Sequence, residues 1–235
     1  MSIIAGVDGC PSGWIVVRRR LDWGEIETVA VESIEELFDG VLKPAVVAID
    51  IPIGLTESGP RAADVEVRSA LGAKRASSVF PAAIRPLLEL TTYTEATATS
   101  RKIQGKGISK QGFAIYPKIR EVDGLLQRRP SLRRRLVEIH PELSFCHWNC
   151  GAPIVPGKRT AKGAAIRRDL IDRYFGPGAF PAVRGAHRKN DVADDDIADA
   201  FAALWTAERI ERGTSIIYPT DPPLDTTGLP MRIVA

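Results

Sequence analysis

The chain has 235 residues, of which 44% are hydrophobic and 26% charged, and its formal net charge is +3. That length buries a core without a disulfide or metal staple, and the composition is that of an ordinary globular protein. Three cysteines, Cys10, Cys146 and Cys150, stand in no framework spacing, which excludes a disulfide scaffold and suits a reducing compartment. No stretch approaches the roughly 18 apolar residues of a membrane span, and no leader pattern opens the chain. The expectation is a cytoplasmic protein without a membrane partner. Mild basicity admits nucleic acid as a partner without requiring it.

In chain order, Ile3 to Asp8 is a short apolar run stopped by Gly9-Cys10-Pro11-Ser12-Gly13, a buried strand and a tight turn. Trp14–Arg18 and Ile26–Val31 are two further strands, close enough to form an antiparallel meander. Ser33 caps a short helix carrying Ile34, Leu37 and Phe38. Ala45–Asp50 is apolar on both faces, as a central strand covered on both sides must be. Residues 61–72 and Thr94–Gln104 read as helices, and Ser109 caps a long helix to about Gln127. Arg133–Ile139 is a fifth strand, ended by His140-Pro141-Glu142. A helix over about 160–174 follows, then a long one from Asn190 or Asp191 to about Arg212, a short strand at Ser215–Tyr218 and a terminal Met231–Val234. The expected fold is a single α/β domain over 1–235, with three antiparallel strands followed by parallel ones, flanking helices, and a helical insertion at about 73–130.

Asp8 and Asp50 each close a run of apolar strand residues. An unpaired buried charge is costly, so each needs a hydrogen-bonded turn or a cation. Asp196 and Asp199 lie three apart in a late helix and so share a face. Ala203, Ala207 and Ile210 continue that face, a small-residue stripe that lets the helix lie close to a sheet. Acidic residues at a helix N-terminus also serve the macrodipole, which accounts for Asp191, Asp194 and Asp195 but poorly for Asp199. Together the four aspartates suit Mg2+ or Mn2+, hard cations that take oxygen ligands. Two such metals activate water and stabilise the leaving oxygen in phosphodiester cleavage.

Several segments resemble, in order, an uncharacterised family described as predicted ribonuclease-H-like nucleases, a domain of unknown function. They are Ala5–Cys10, Ala48–Gly54, Ser78–Pro81, Gly105–Gln111, Pro117–Asp123, Glu138–Phe145 and Asp195–Ala200. The Asp196-x-x-Asp199-Ala200 ending is also similar to the last helix of RuvC-type junction resolvases. The resemblance implies a ribonuclease-H-like mixed sheet, with Asp8, Asp50 and Asp199 as metal ligands and Asp196 as a fourth. Those resolvases usually carry Glu where this chain has Asp50, one methylene shorter.

Other groups are candidates on their chemistry. Lys118 lies on one face of its predicted helix and Arg120 near the opposite side; either suits phosphate capture beside the centre or plain surface ion pairing. Glu138, His140 and Glu142 share one side if their strand persists, and a histidine between carboxylates serves as a base, an extra ligand or a structural hydrogen-bonder. Reduced packing is the expected role of Cys146 and Cys150. The basic run Arg128–Arg135 suits a phosphate backbone or a solvated surface. Gly151–Lys158 fails as a phosphate-binding loop, because five residues separate its glycines and Arg159 stands where Ser or Thr is required. The expected function is a metal-dependent nuclease acting on DNA or RNA. Alternatives are an actin-like or sugar-kinase-like ATP-binding phosphotransferase and a non-catalytic binding protein. The sequence carries no signal for oligomeric state.

Overall fold

The computed structural model describes residues 2–21, 24–40 and 43–235. In chain order it holds β1 (Ile3–Cys10), β2 (Gly13–Arg20), β3 (Glu27–Val31), α1 (Glu36–Asp39), β4 (Val46–Ile49), α2 (Ala62–Arg75), α3 (Tyr93–Gln104), α4 (Lys110–Ala114), α5 (Tyr116–Arg128), β5 (Leu136–Glu138), α6 (Pro141–Trp148), α7 (Ala161–Phe175), α8 (Ala179–Gly185), α9 (Asp194–Glu211), β6 (Ile217–Tyr218) and β7 (Ile233–Val234). The fold is α/β. Its mixed sheet has five strands in the order β3-β2-β1-β4-β5. β1, β2 and β3 pair antiparallel, and β4 and β5 add in parallel beside β1. A small β6-β7 sheet adjoins the main one, with Val234 bridged in parallel to Ile139 just past β5. No helix among the described residues is long and apolar enough to cross a membrane.

The β1-β2 hairpin closes through Pro11 and Ser12, with Cys10 opposite Gly13. Gly13 takes φ +126°, where L side chains are rarely found, and a Cβ there would come 2.8 Å from the Cα of Glu32. The hairpin tip is tied to the loop before α9: the Ser12 amide and hydroxyl both point at the Asp191 carbonyl, at 3.4 and 3.2 Å.

Strand parity sorts the residues of the main sheet into two cores, one on each face. Ala5 and Val7 of β1, with Val47 and Ile49 of β4, pack against α1 and against Ile119, Val122, Leu125 and Leu126 of α5. Ile4 and Cys10, with Val46 and Ala48, pack against α9 together with residues of α7 and α8. A buried sheet face on both sides explains why these strands read as continuous apolar runs. The α9 side is the closer one. Ala200, Ala203 and Ala207 are fully buried, and α9 makes its most extensive contact with β1. Gly6 permits this: a Cβ there would overlap the Ala200 carbonyl and the Leu204 amide, and would lie 2.7 Å from the Leu204 Cα.

Several boundaries differ from expectation. Ser109 does cap a helix, accepting from the Gly112 amide at 2.9 Å, but that helix ends at Ala114. Pro117, which lacks an N–H, sits in the first turn of the next one. The fifth strand is shorter than expected because Pro130–Arg134 forms a tight 3₁₀ turn. The last helix starts at Asp194, with Ala193 as its N-cap, rather than at Asn190 or Asp191. α5, within the segment read as an insertion, packs directly on the sheet.

Gly6→Ala is expected to cost about 3 kcal/mol or more, the upper range of overpacking, because backbone must move. Gly9→Ala meets only the flexible Lys118 side chain, at 3.0 Å, and is expected to cost clearly less. Urea midpoints of the two variants check the order; equal costs would refute the packing account.

Candidate carboxylate centre

β1 and β4 run parallel and in register, Gly6 opposite Ala48 and Val7 opposite Ile49. Asp8 and the residue just past β4, Asp50, therefore continue the same register on the α9 side. Asp199 comes down onto them from the second turn of α9. Asp8 and Asp199 are 8% and 1% exposed; Asp50 is partly exposed. Asp8 Oδ1 accepts from the Gly9 amide at 2.8 Å. Asp199 Oδ1 is buried without a hydrogen-bond partner.

Burial raises all three carboxyls, and the charge of Asp199 weighs on the other two. Burial, then the charge of Asp199, then that of Asp50 push the Asp8 carboxyl well above its ordinary 3.8. Asp50 is pushed up to about 8, by burial first and Asp199 next. Asp199 is also raised by burial, against the pull of Lys158. Lys158 is the cation that all of these groups share. Its ammonium hydrogen-bonds Asp199 Oδ2, lies 3.6 Å from Asp195, and stabilises the charges of Asp8, Asp50 and Asp196 as well.

The donor set fits a hard divalent cation in kind: all oxygen, in negative excess, with one buried oxygen unpartnered. It is not closed around one. Among the described residues, no three His, Cys, Asp or Glu groups converge as a metal cage. Asp196 sits at the edge of the set. Its Oδ2 accepts from the Ala193 amide at 2.9 Å, so one oxygen serves the helix N-terminus. Asp194 pairs with Arg168 and Arg184 instead.

Of the other predicted residues, Lys118 alone lies at the rim of the centre. It crosses from the α5 side, donates to the Gly13 carbonyl, and sits 4.2 Å from the Trp14 ring centroid. Arg120 is turned away, donating to the Leu88 and Leu90 carbonyls. Glu138 pairs in register with Ile49, so its side chain belongs to the face opposite Asp8 and Asp50. Arg61 grips both its oxygens, at 2.6 and 2.7 Å, and the Ile53 amide donates to it at 2.6 Å. The strand does not persist to Glu142, because Pro141 opens α6. His140 caps that helix: Nδ1 accepts from the Leu143 amide at 3.4 Å, which leaves Nε2–H to face the Ser78 carbonyl at 3.3 Å. Burial lowers its pKa, so the ring is held neutral with both nitrogens engaged. Glu142, on α6, is clamped by Arg167 at 2.7 Å and Arg75 at 2.8 Å.

Sequence reasoning missed Lys158, Arg61, Arg75 and Arg167. A lysine in a Gly/Pro loop carries no local signal that it turns inward, and a buried arginine reads like any other. The basic run is largely spent within the fold: Arg129 pairs with Glu35 and Asp39, and Arg133 and Arg135 donate to backbone carbonyls. Cys146 is buried and donates to the Gly151 carbonyl at 3.3 Å.

Arg61→Met strands two buried carboxylates, Glu138 and Asp64, and is expected to cost on the order of 3–5 kcal/mol or more, as for any half-broken buried pair. Arg61→Met/Asp64→Asn/Glu138→Leu, which removes both stranded charges, should recover much of that in urea unfolding. Asp50 gives a pH prediction. Its pKa is raised on folding, so its ionisation opposes folding: stability is fully present below the unfolded value of 3.8 and is lost as pH rises through about 8. The groups acting on it are Asp199, Lys158, Glu138 and Glu142. With chelator present, Asp50→Asn should be more stable than wild type at pH 8 by about 1 kcal/mol, with the advantage shrinking towards pH 4. An advantage independent of pH would contradict this.

Comparison with curated proteins gives no match, and comparison with solved structures gives none either. Residues 6–224 match the family described as "Protein of unknown function (DUF429)". That span covers Asp8, Asp50, Lys158, Asp196 and Asp199, and the chain belongs to this family.

Proposed function

We propose that the protein is a divalent-metal-dependent hydrolase of phosphodiester bonds in nucleic acid, with a ribonuclease-H-like centre in which Asp8, Asp50 and Asp199 hold Mg2+ or Mn2+. The observation that carries this reading is an unpartnered buried oxygen on Asp199, whose charge also weighs on the neighbouring Asp8 and Asp50 carboxyls. A purely structural cluster would satisfy that oxygen, since an unmet buried acceptor costs about 1–3 kcal/mol. The sheet supports the reading further. Three antiparallel strands followed by two parallel ones, order β3-β2-β1-β4-β5, is the arrangement the family resemblance implies.

A bound divalent cation would supply Lewis-acid stabilisation of phosphate and leaving-oxygen charge. The chain's own residues do the rest. Asp8, within β1 two residues before its end, and Asp50, just past β4, present oxygens from adjacent strands, fixed by sheet register. Asp199 closes the third side from α9, and Asp196 stands beside it as a weaker fourth donor. Lys118, at the rim, and exposed Arg159, beside Asp195, supply positive charge where a phosphate would approach. Glu138, His140, Glu142 and Arg120 hold the surrounding elements in place through the contacts described above.

Thermal stability in increasing Mn2+ or Mg2+ tests the centre. Wild type should gain about 2.7 kcal/mol at 100 times the dissociation constant. Asp8→Asn and Asp199→Asn should gain far less, and should lose metal-dependent cleavage of single-stranded, duplex and branched DNA and RNA. No gain in wild type, or an equal gain in the variants, would sink the metal reading. Metal binding without cleavage of any of these substrates would sink the nuclease.

A further inference from the structure

Lys158 is the feature that the proposed chemistry leaves unexplained. It sits in the loop between α6 and α7, and its side chain is 35% exposed. Despite that, its ammonium reaches inward to a nearly buried carboxylate, Asp199. It is also the one basic side chain among the leading influences on every one of Asp8, Asp50, Asp196 and Asp199. A divalent cation held by the same oxygens would meet it at close range, and two cations sharing one set of carboxylates repel each other.

A second seat for the ammonium already exists. Asp195 Oδ2 lies 3.6 Å from Lys158 Nζ, one turn back on α9. Lys158, Asp194 and Asp195 together line a shallow pocket between α7, α8 and α9. A lysine carries several rotatable bonds, so the move from Asp199 to Asp195 needs no backbone change.

We propose that Lys158 is a resident counter-cation that a divalent metal must displace: its ammonium occupies Asp199 in the metal-free protein and shifts to Asp195 when the metal enters. The inference rests on the reading of the centre as a metal site. It makes the metal-free state a defined structure in which one ammonium offsets part of the carboxylate charge, and it sets the affinity for metal below what the carboxylates alone would give. Moving the ammonium onto the outer carboxylate also leaves positive charge beside Arg159, on the side where an anionic substrate would arrive.

The experiment is calorimetric titration of Mn2+ into wild type and Lys158→Met, with Lys158→Arg as the charge-retaining control. Lys158→Met should bind Mn2+ about tenfold more tightly or better, a coupling of ordinary size, while Lys158→Arg stays near wild type. Its metal-free form should melt below wild type, and saturating Mn2+ should narrow that gap. Equal or weaker binding by Lys158→Met overturns the inference and leaves the metal site standing. No Mn2+ binding by any of the three proteins overturns the metal reading and the inference with it. Should Lys158→Met fail to fold without metal, a wild-type crystal structure with Mn2+ decides. Lys158 Nζ should then lie beyond ion-pair distance, about 4 Å, from both Asp199 oxygens; an ammonium still on Asp199 beside the metal overturns displacement.

Discussion

Everything at the centre depends on how closely α9 lies on β1. A helix packed on a sheet normally stands off by the thickness of its side chains. Here the Ala200 carbonyl and the Leu204 amide lie where the Cβ of residue 6 would be, and glycine at that position lets the helix backbone rest on the strand. The alanines of α9 keep the contact close along its length. This proximity turns Asp199 from an ordinary helical acid into the third wall of a group that includes Asp8 of β1 and Asp50 just past β4.

The consequence is electrostatic. Three carboxylates taken from water into one place cannot all hold their charge cheaply. Asp8 is tied only to its own neighbour's amide, and Asp199 keeps an oxygen with no partner. Other buried acids in the protein are treated differently. Glu138 and Glu142 are each gripped by arginines, and Asp225 accepts from the Leu55, Thr227 and Leu229 amides. The contrast separates acids that hold elements together from acids left under-compensated. The latter fit a centre awaiting a cation better than a structural network.

Much of this was legible in the sequence. The apolar runs before Asp8 and Asp50, and the small-residue stripe after Asp199, locate the strands, the helix and their acids, because periodicity and burial leave a direct trace in residue type. Partners across space leave none. Glu138 looks as good a candidate as Asp50, since each stands near a strand end; the difference is a single step of register that puts Glu138 on the other face. His140 depends on whether a strand persists past a proline, and Pro141 instead opens a helix with His140 as its cap. Lys158 lies more than 40 residues from its partner, beyond any local pattern.

Gly6 and Asp8 face the same way because they stand two positions apart on a strand, and each has its own task. One makes room for the helix, and the other meets the carboxylate that the helix carries. β1 is therefore a ruler as well as a strand. Inserting or deleting one residue between them would send one of the two to the opposite core, and a change of two would slide Asp8 by roughly 6.6 Å, further than a carboxylate can reach back. Val7, between them, answers only to the other core. In this segment the identity of the middle residue is open to exchange among apolar side chains, while its length is not.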